Sequence, residues 1–142
     1  MIMRTRDAIS LISKIREKVN RLIEAEMSKN DLDGIVTSHG DIIYALFNKP
    51  KMTMAEIADK IVRDKSTVTA LVDKLVKLGY VVKERDAQDA RVIYAALTDK
   101  GYELKPIFEA ISAKVLDVFY LGISESEKEE LAKTLSKIYS NF

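Results

Sequence analysis

The residues best suited to chemistry in this 142-residue chain lie on one predicted helix and on the hairpin that follows it. The helix, about 65–78, is expected to bury the apolar residues of one face: Val68, Leu71, Val72, Leu75 and Val76. Its other face carries small polar residues and lysines: Lys65, Ser66, Thr67, Thr69, Ala70, Asp73, Lys74 and Lys77. Small side chains let a helix approach base edges in the DNA major groove, and lysines reach the flanking phosphates.

A recognition helix enters the major groove by its N-terminal part, which here is 65–69. The helix N-terminus also offers free N–H groups and the positive end of the helix dipole, and both would suit a phosphate. Ser and Thr near a helix start are commonly caps, so a plain solvated surface is the alternative for this face. The hairpin that follows favours the nucleic-acid interpretation, with Lys65, Ser66, Thr67, Thr69, Ala70 and Lys74 as the candidate contacts.

The second set of residues lies on the predicted hairpin, whose strands run about 80–85 and 91–96. Asp89 and Arg91 are two residues apart across a tight loop, so the carboxylate can hold the guanidinium in one direction. Arg85 and Gln88 complete the candidate contacts of this hairpin. A two-stranded ribbon is only marginally stable alone, so it must pack on a helix or contact another molecule.

Other kinds of chemistry have little support in the composition. The chain has no cysteine, which excludes disulfides, thiolate catalysis and Cys-ligated zinc. The one histidine, His39, is predicted to cap or pack near the second helix and not to sense a ligand. No nucleophile has a base beside it and no glycine-rich phosphate loop occurs, so we expect no enzyme, metal or cofactor. Four aromatic residues are predicted to be core and not a cofactor site: Tyr44, Phe47, Tyr102 and Phe108.

Charge and hydropathy place further limits. The formal net charge is only +1, although basic side chains outnumber acidic ones within 49–100. No apolar run approaches the roughly 18–20 residues of a membrane helix, and charges interrupt the N-terminal apolar residues, unlike a signal peptide. We therefore expect a cytoplasmic protein without a membrane association.

The elements that must position these residues are mostly helical. Helices are predicted over about 7–27, 38–47 with Ser38 as N-cap, 53–61 with a Thr53–Glu56 capping box, and 65–78 ended by a left-handed Gly79. After the hairpin, Thr98 caps a helix to about 120 that Pro106 interrupts, and Ser124 with Glu127 caps the last one. The sequence predicts a mostly α fold with one small β-wing.

The hairpin and the helix before it carry a resemblance to a known family. The pattern Asp-x-Arg, five residues, Leu-Thr-x-x-Gly stands here at 89–101, preceded by DKSTVTALVDKLVKLGYVVKERD. In this pattern the chain resembles the MarR family of bacterial transcriptional regulators, over about 41–101. The resemblance implies that Arg91 matches the wing arginine that reaches the minor groove or its phosphates, and that Asp89 matches the aspartate that orients it.

The resemblance further implies a winged helix-turn-helix over 37–101 and an all-helical dimerisation region from 1–36 and 102–142. It implies a homodimer on a pseudo-palindromic double-stranded DNA operator, most often a repressor, relieved by a small aromatic or anionic effector. Ala70 and Ala90 stand where many members carry a basic residue, which predicts modest affinity. The alternatives are a winged-helix module that binds protein and not DNA, and terminal helices that pack only within one chain.

Overall fold

Within residues 4–32 and 34–142, which the computed structural model describes, the chain forms helices around a small antiparallel sheet. A 3-10 turn, Thr5–Asp7, precedes the elements α1 (Ala8–Lys29), α2 (Thr37–Asn48), β1 (Met52–Thr53), α3 (Met54–Ile61), α4 (Lys65–Lys77), β2 (Val81–Arg85), β3 (Ile93–Leu97), α5 (Asp99–Tyr102), α6 (Lys105–Phe119) and α7 (Glu125–Ser140). The fold is mostly α with a small sheet, as the sequence predicts.

The main core lies where α2, α3 and α4 pack against the sheet. Its fully buried side chains are Ile42, Ile43, Leu46, Ile57, Val68, Val72, Leu75, Val81 and Ala95. Each large apolar side chain buried here contributes about 1.5–3 kcal/mol relative to exposure. On α4, Leu71 is only partly buried, and the expectation that Val76 is buried is wrong. The spacing 68, 72 and 75 centres the buried face so that position 76 turns to its edge.

The sheet has three strands in the order β1–β3–β2, so the prediction of a two-stranded ribbon is wrong. Met52 pairs with Ala95 and Thr53 pairs with Tyr94, while β2 pairs with the other edge of β3 along its length. The short β1 stabilises the hairpin, because it covers one edge of β3 and joins the ribbon to the start of α3.

Most predicted helix ends are confirmed. Thr53 accepts the Glu56 N–H in a capping box, and Ser124 does the same for Glu127. Gly79 follows α4 with φ +85°. The prediction for α2 is wrong, because its N-cap is Val36 and not Ser38. The Val36 N–H donates to Nδ1 of His39 at 3.0 Å, so the buried imidazole satisfies the N–H of the N-cap residue from inside the first turn.

The return from the wing to the helical region depends on Thr98 and Gly101. The Thr98 hydroxyl donates to the Gly79 carbonyl at 2.5 Å and accepts the Gly101 N–H at 3.1 Å, which caps α5 as predicted. The Thr98 N–H donates to the Tyr80 carbonyl at 3.0 Å. Gly101 lies so close to Tyr80 that a Cβ would come well within 3.0 Å of that carbonyl oxygen. This junction packs α5 against the end of α4. The helix predicted from Thr98 to about 120 is interrupted between α5 and α6, and Pro106 lies in the first turn of α6.

The terminal helices leave apolar faces exposed within one chain. Among the described residues, α7 buries none of its side chains. Leu131, Leu135 and Ile138 on its apolar face are exposed, and so is Phe142 beyond its end. On α1, Ile9, Ile12 and Ile15 are exposed as well, although Val19, Leu22 and Ile23 pack against the core. No helix in the described part of the chain is both long and apolar enough to cross a membrane. The described part of the chain therefore leaves much of the apolar faces of α1 and α7 exposed.

The aromatic residues divide between core and surface. Phe108 is buried and meets Phe47 edge-on, with ring centroids 5.8 Å apart, so these two belong to the core as predicted. Tyr44 and Tyr102 are more than two-fifths exposed, so the same prediction is wrong for them. Their hydroxyl groups favour water, which explains why the helical spacing alone misplaced them.

Val62, at the turn between α3 and α4, has a backbone conformation that a β-branched residue rarely adopts. Its φ and ψ are +55° and +56°, and its side chain is 81% exposed. The left-handed conformation costs an L-residue about 1–2 kcal/mol and costs glycine little. We expect Val62→Gly to raise the free energy of unfolding by about 0.5–1 kcal/mol in urea denaturation. The matched control is Val82→Gly, on strand β2, which should lower it; a loss of stability in both variants would contradict this account.

Candidate nucleic-acid interface

The predicted recognition helix, α4, begins at an aspartate, Asp64, that the sequence analysis did not identify as a cap. Asp64 is the N-cap, and its Oδ1 accepts the Thr67 N–H at 2.7 Å and the Ser66 hydroxyl at 2.8 Å. These hydrogen bonds lower the pKa of Asp64, the Thr67 N–H having the largest effect. The expectation of free N–H groups that suit a phosphate is therefore wrong at Thr67, because a carboxylate already occupies that position. Asp three residues before Thr67 was the available signal.

The outward face of α4 offers acceptors close to the backbone. Ser66, Thr69 and Ala70 are exposed, and Thr67 is half-buried. The Thr69 hydroxyl donates to the Lys65 carbonyl at 2.9 Å, and the Ser66 hydroxyl donates to the Asp64 carboxylate. Since both hydroxyl hydrogens are used within the chain, a base would meet these oxygens as acceptors, which suits the amino groups of adenine or cytosine.

The lysines of α4 do not all lie beside this N-terminal part. Lys65 is exposed at the first turn. Lys74 reaches back toward the connection between α1 and α2, where its Nζ lies 3.5 Å from the position that a Cβ on Gly34 would take. Burial lowers the pKa of His39, and the charge of Lys74 lowers it further. The structure thus groups Lys65, Ser66, Thr67, Thr69 and Ala70 on one end of α4 and places Lys74 apart from them.

The tip of the hairpin holds Arg91 as the sequence predicts. Nε of Arg91 donates to Oδ1 of Asp89 at 3.1 Å, and Nη2 donates to Oδ2 at 3.2 Å, so the pair is bidentate. The Arg91 side chain remains 91% exposed. The hydrogen bonds from the Arg91 side chain, with a smaller effect of its N–H, lower the pKa of Asp89. The Arg91 guanidinium is therefore exposed but held in one orientation, which suits contact with a phosphate or a narrow groove.

A hydrogen-bonded frame within the wing supports this pair. Oδ2 of Asp86 accepts the N–H groups of Gln88 and Asp89, at 3.0 and 2.9 Å. The guanidinium of Arg85 donates to the Ala90 carbonyl at 2.6 Å, so this candidate contact serves at least in part to close the loop. Gln88 is exposed at the tip. The role of Asp86 was missed, although an Asp that accepts the N–H two residues on is a readable turn signal.

Ion pairs join the wing to the rest of the fold. Lys83 on β2 pairs with Asp73, which connects the first wing strand directly to α4. Nζ of Lys51 lies 3.5 Å from Oε2 of Glu84 and 4.6 Å from the centre of the Tyr94 ring. Each exposed pair contributes at most about 1 kcal/mol, so their effect is to orient the wing and not to hold the fold together. No cluster of His, Asp or Glu that could hold a metal ion occurs among the residues described.

The buried His39 predicts a pH dependence of stability. Burial, with a smaller effect of Lys74, lowers the pKa of His39, and its Nδ1 accepts a hydrogen bond only in the neutral form. The unfolded state therefore binds a proton at higher pH than the folded state, so stability is full above about pH 6.5 and falls as pH drops through the folded pKa. We expect a loss of no more than about 1.4 kcal/mol per pH unit below about pH 6.5 in urea unfolding. His39→Gln should lack this slope, and an equal slope in both proteins would contradict the assignment.

The fold and this surface define a winged helix-turn-helix protein. Residues 31–92 match the sequence model of the MarR family. Over 100 residues the chain is 35% identical to the HTH-type transcriptional regulator SarZ of Staphylococcus haemolyticus. This alignment covers 70% of this chain and 67% of that protein. SarZ of Staphylococcus aureus MRSA252 is 31% identical over 99 residues, 70% of this chain and 66% of that protein. The chain therefore belongs to the MarR family, whose members are transcriptional regulators and not enzymes.

Solved structures share this fold over nearly the whole chain. A MarR protein from Peptoclostridium difficile superposes with a TM-score of 0.88 at 22% identity, over 99% of this chain and 92% of that one. A cysteine-to-serine mutant of MarR from E. coli, complexed with operator DNA, superposes with a TM-score of 0.83 at 18% identity. That match covers 96% of this chain and 99% of the E. coli chain. At these identities the likeness concerns the fold alone.

Proposed function

We propose that this protein is a homodimeric, sequence-specific DNA-binding repressor of the bacterial cytoplasm, relieved by a small molecule. The observation that carries the proposal is the Asp89-held guanidinium of Arg91, presented on a hydrogen-bonded wing that is ion-paired to α4. The operator DNA bound to the E. coli MarR mutant of the same fold supports nucleic acid as the partner.

In this proposal α4 enters the major groove and the wing contacts the neighbouring backbone or minor groove. The first two turns of α4 bring Thr67, Thr69 and Ala70 to base edges, with Lys65 and Ser66 beside them. Arg91, with Gln88 and Arg85 near it, contacts phosphates and supplies affinity more than sequence selection. The small polar face of α4 favours DNA over a protein partner, which would better suit an apolar or acidic face.

The proposed division of the chain follows from which apolar faces are covered. Residues 37–101 form the proposed DNA-binding region, whose apolar residues are buried in a core that Met27 of α1 and Phe108 of α6 also join. Residues 1–36 and 102–142 form the proposed dimerisation region, where α1 and α7 expose apolar residues that a second copy would bury. A two-fold dimer places two α4 helices about one turn of DNA apart, roughly 10 base pairs, and so matches a pseudo-palindromic operator.

The experiment that tests this function is selection of bound duplexes from a random DNA pool. We expect enrichment of a two-fold symmetric motif, and we expect Thr69→Val to change the base preference at matching positions of both half-sites. A lost base contact should cost about 1–3 kcal/mol per half-site. The control is Ser140→Ala, at the exposed end of α7, which should select the same motif. No enrichment would contradict the proposed function. The same motif from Thr69→Val would remove Thr69 from the residues that read bases, and unchanged motifs from variants of Thr67 and Ala70 as well would contradict direct reading by α4.

A further inference from the structure

The C-terminal end of α4, away from the candidate base contacts, is held by a lysine from the segment that leads into the proposed dimerisation region. Nζ of Lys100, on α5, donates to the Leu78 carbonyl at 2.8 Å. The same Nζ lies 4.7 Å from the centre of the Tyr80 ring. Since Leu78 is the C-cap of α4, its carbonyl has no further turn of helix to supply a donor. The ammonium group therefore satisfies an acceptor that the helix itself leaves free.

The stem of the Lys100 side chain lies along the turn that ends α4. A Cβ on Gly79 would lie 3.6 Å from Cδ and 3.7 Å from Nζ of Lys100. Gly79 has φ +85°, so the stem passes beside a left-handed turn. A cation at a helix C-terminus is stabilised by the helix dipole, and a cation over an aromatic ring is stabilised further. The hydrogen bond, the dipole and the Tyr80 ring thus all favour one position for this lysine.

Fixing this end of α4 has its largest effect at the other end. The helix spans the 13 residues Lys65–Lys77, which is roughly 20 Å at 1.5 Å per residue. A tilt of about 5° at the C-terminal end would move the N-terminal end by about 1.7 Å, given that length. Hydrogen-bond lengths vary over only about 0.5 Å, so such a tilt would break contacts to bases. The buried Val68, Val72 and Leu75 hold α4 in the core, so Lys100 adjusts the helix and does not decide the fold.

We propose that Lys100 is a positioning residue for base reading, which fixes the C-terminal end of α4 and, through that helix, the placement of Thr67, Thr69 and Ala70 in the major groove. Lys100 itself does not contact DNA in this proposal. The contact also passes any displacement of α5 to α4, because one hydrogen bond joins the two. The step from the helix end to the bases rests on the proposed function, whereas the fixing of the helix end does not.

The first test measures DNA binding by Lys100→Met, which removes the ammonium and keeps an apolar stem at an exposed position. We expect affinity for the selected duplex to fall about threefold to tenfold, because a smaller fraction of the dimer has both α4 helices aligned. The salt dependence should stay as in the wild type, because no phosphate contact is lost. Lys100→Arg keeps a charged donor and should restore most of the affinity. The matched control is Lys105→Met, which removes the same charge at the exposed start of α6 and should bind normally.

The second test is amide hydrogen exchange of the free full-length chain, which needs no DNA. The N–H groups of Leu78, Gly79 and Tyr80 donate to carbonyls in the last turns of α4. We expect these three to exchange about threefold to tenfold faster in Lys100→Met, because local opening of the helix end becomes easier. They should exchange at the wild-type rate in Lys105→Met. Thermal melts establish that both variants are folded.

The outcomes separate this proposal from the proposed function. Unchanged exchange in Lys100→Met would overturn the proposal, whatever its affinity for DNA. A weaker salt dependence in Lys100→Met would also overturn it, since the ammonium would then contact a phosphate. Equal losses of affinity in Lys100→Met and Lys105→Met would show a general charge effect, and wild-type affinity with faster exchange would remove the step to base reading. If the wild type bound no DNA, the proposed function and that step would both fail, while exchange would still decide whether Lys100 fixes the helix end.

Discussion

Gly101→Ala is expected to destabilise the protein by about 3 kcal/mol or more, a large fraction of the roughly 5–15 kcal/mol that stabilises a typical domain. The added Cβ would overlap the Tyr80 carbonyl oxygen and would lie 3.0 Å from Cδ2 of Leu97. Neither neighbour moves freely, because that carbonyl accepts the Thr98 N–H and Leu97 pairs with Val81 in the sheet. Circular dichroism during urea titration measures the loss.

The matched control is Gly40→Ala, since Gly40 is also helical. A Cβ there would lie 3.7 Å from Cε of Met27 and 3.7 Å from Cε2 of Phe108, which is ordinary contact. Alanine in a helix interior is favoured over glycine by about 1 kcal/mol, so this variant should be neutral or more stable. If Gly101→Ala were as stable as the wild type, the close packing of α5 on the end of α4 would be wrong.

Arg91→Ala is expected to reduce affinity for DNA of every sequence by about a hundredfold or more per dimer. Each protomer would lose one charged contact to the backbone, and hydrogen bonds to charged groups contribute about 1.5–3 kcal/mol. The dependence of affinity on salt should weaken by about one counterion for each arginine removed. Asp89→Ala should act in the same direction but less, because it only releases the guanidinium from its bidentate partner.

Fluorescence anisotropy titrations at several salt concentrations measure both effects. Arg21→Ala is the matched control, because it removes the same charge from α1, where Arg21 pairs with Glu17 at 2.6 Å and not with the wing. We expect the control to retain wild-type affinity and salt dependence. Equal losses in the two arginine variants would indicate a general charge effect, and unchanged binding by Arg91→Ala would remove the wing from the interface.

The parts of the fold that the sequence predicted depend on local interactions. The capping boxes at Thr53 and Ser124, and the left-handed Gly79, involve residues at most three apart. The strand β1 was missed because two residues carry no periodicity, and its pairing with Ala95 joins distant parts of the chain. Ser38 was chosen as a cap from its residue type, whereas the neutral His39 imidazole supplies the acceptor.

At the candidate interface, too, the sequence predicted local contacts and not contacts between distant parts of the chain. The Asp89–Arg91 pair was predictable because both residues lie in one tight loop. The ion pair between Lys83 and Asp73 was not, because it depends on how the sheet packs against α4. The position of Lys74 beside Gly34 likewise follows from the tertiary packing of the α1–α2 connection, which helical spacing does not encode.

The mass of the protein–DNA complex tests the central claim most directly. Sedimentation equilibrium of the full chain with the selected duplex should give one species that contains the duplex and two chains of 16.0 kDa. Cutting the duplex to one half-site should greatly weaken binding, because the second α4 of the dimer then has no site to occupy. A complex with a single chain, or no complex at micromolar protein, would contradict the account of a homodimer that reads two half-sites.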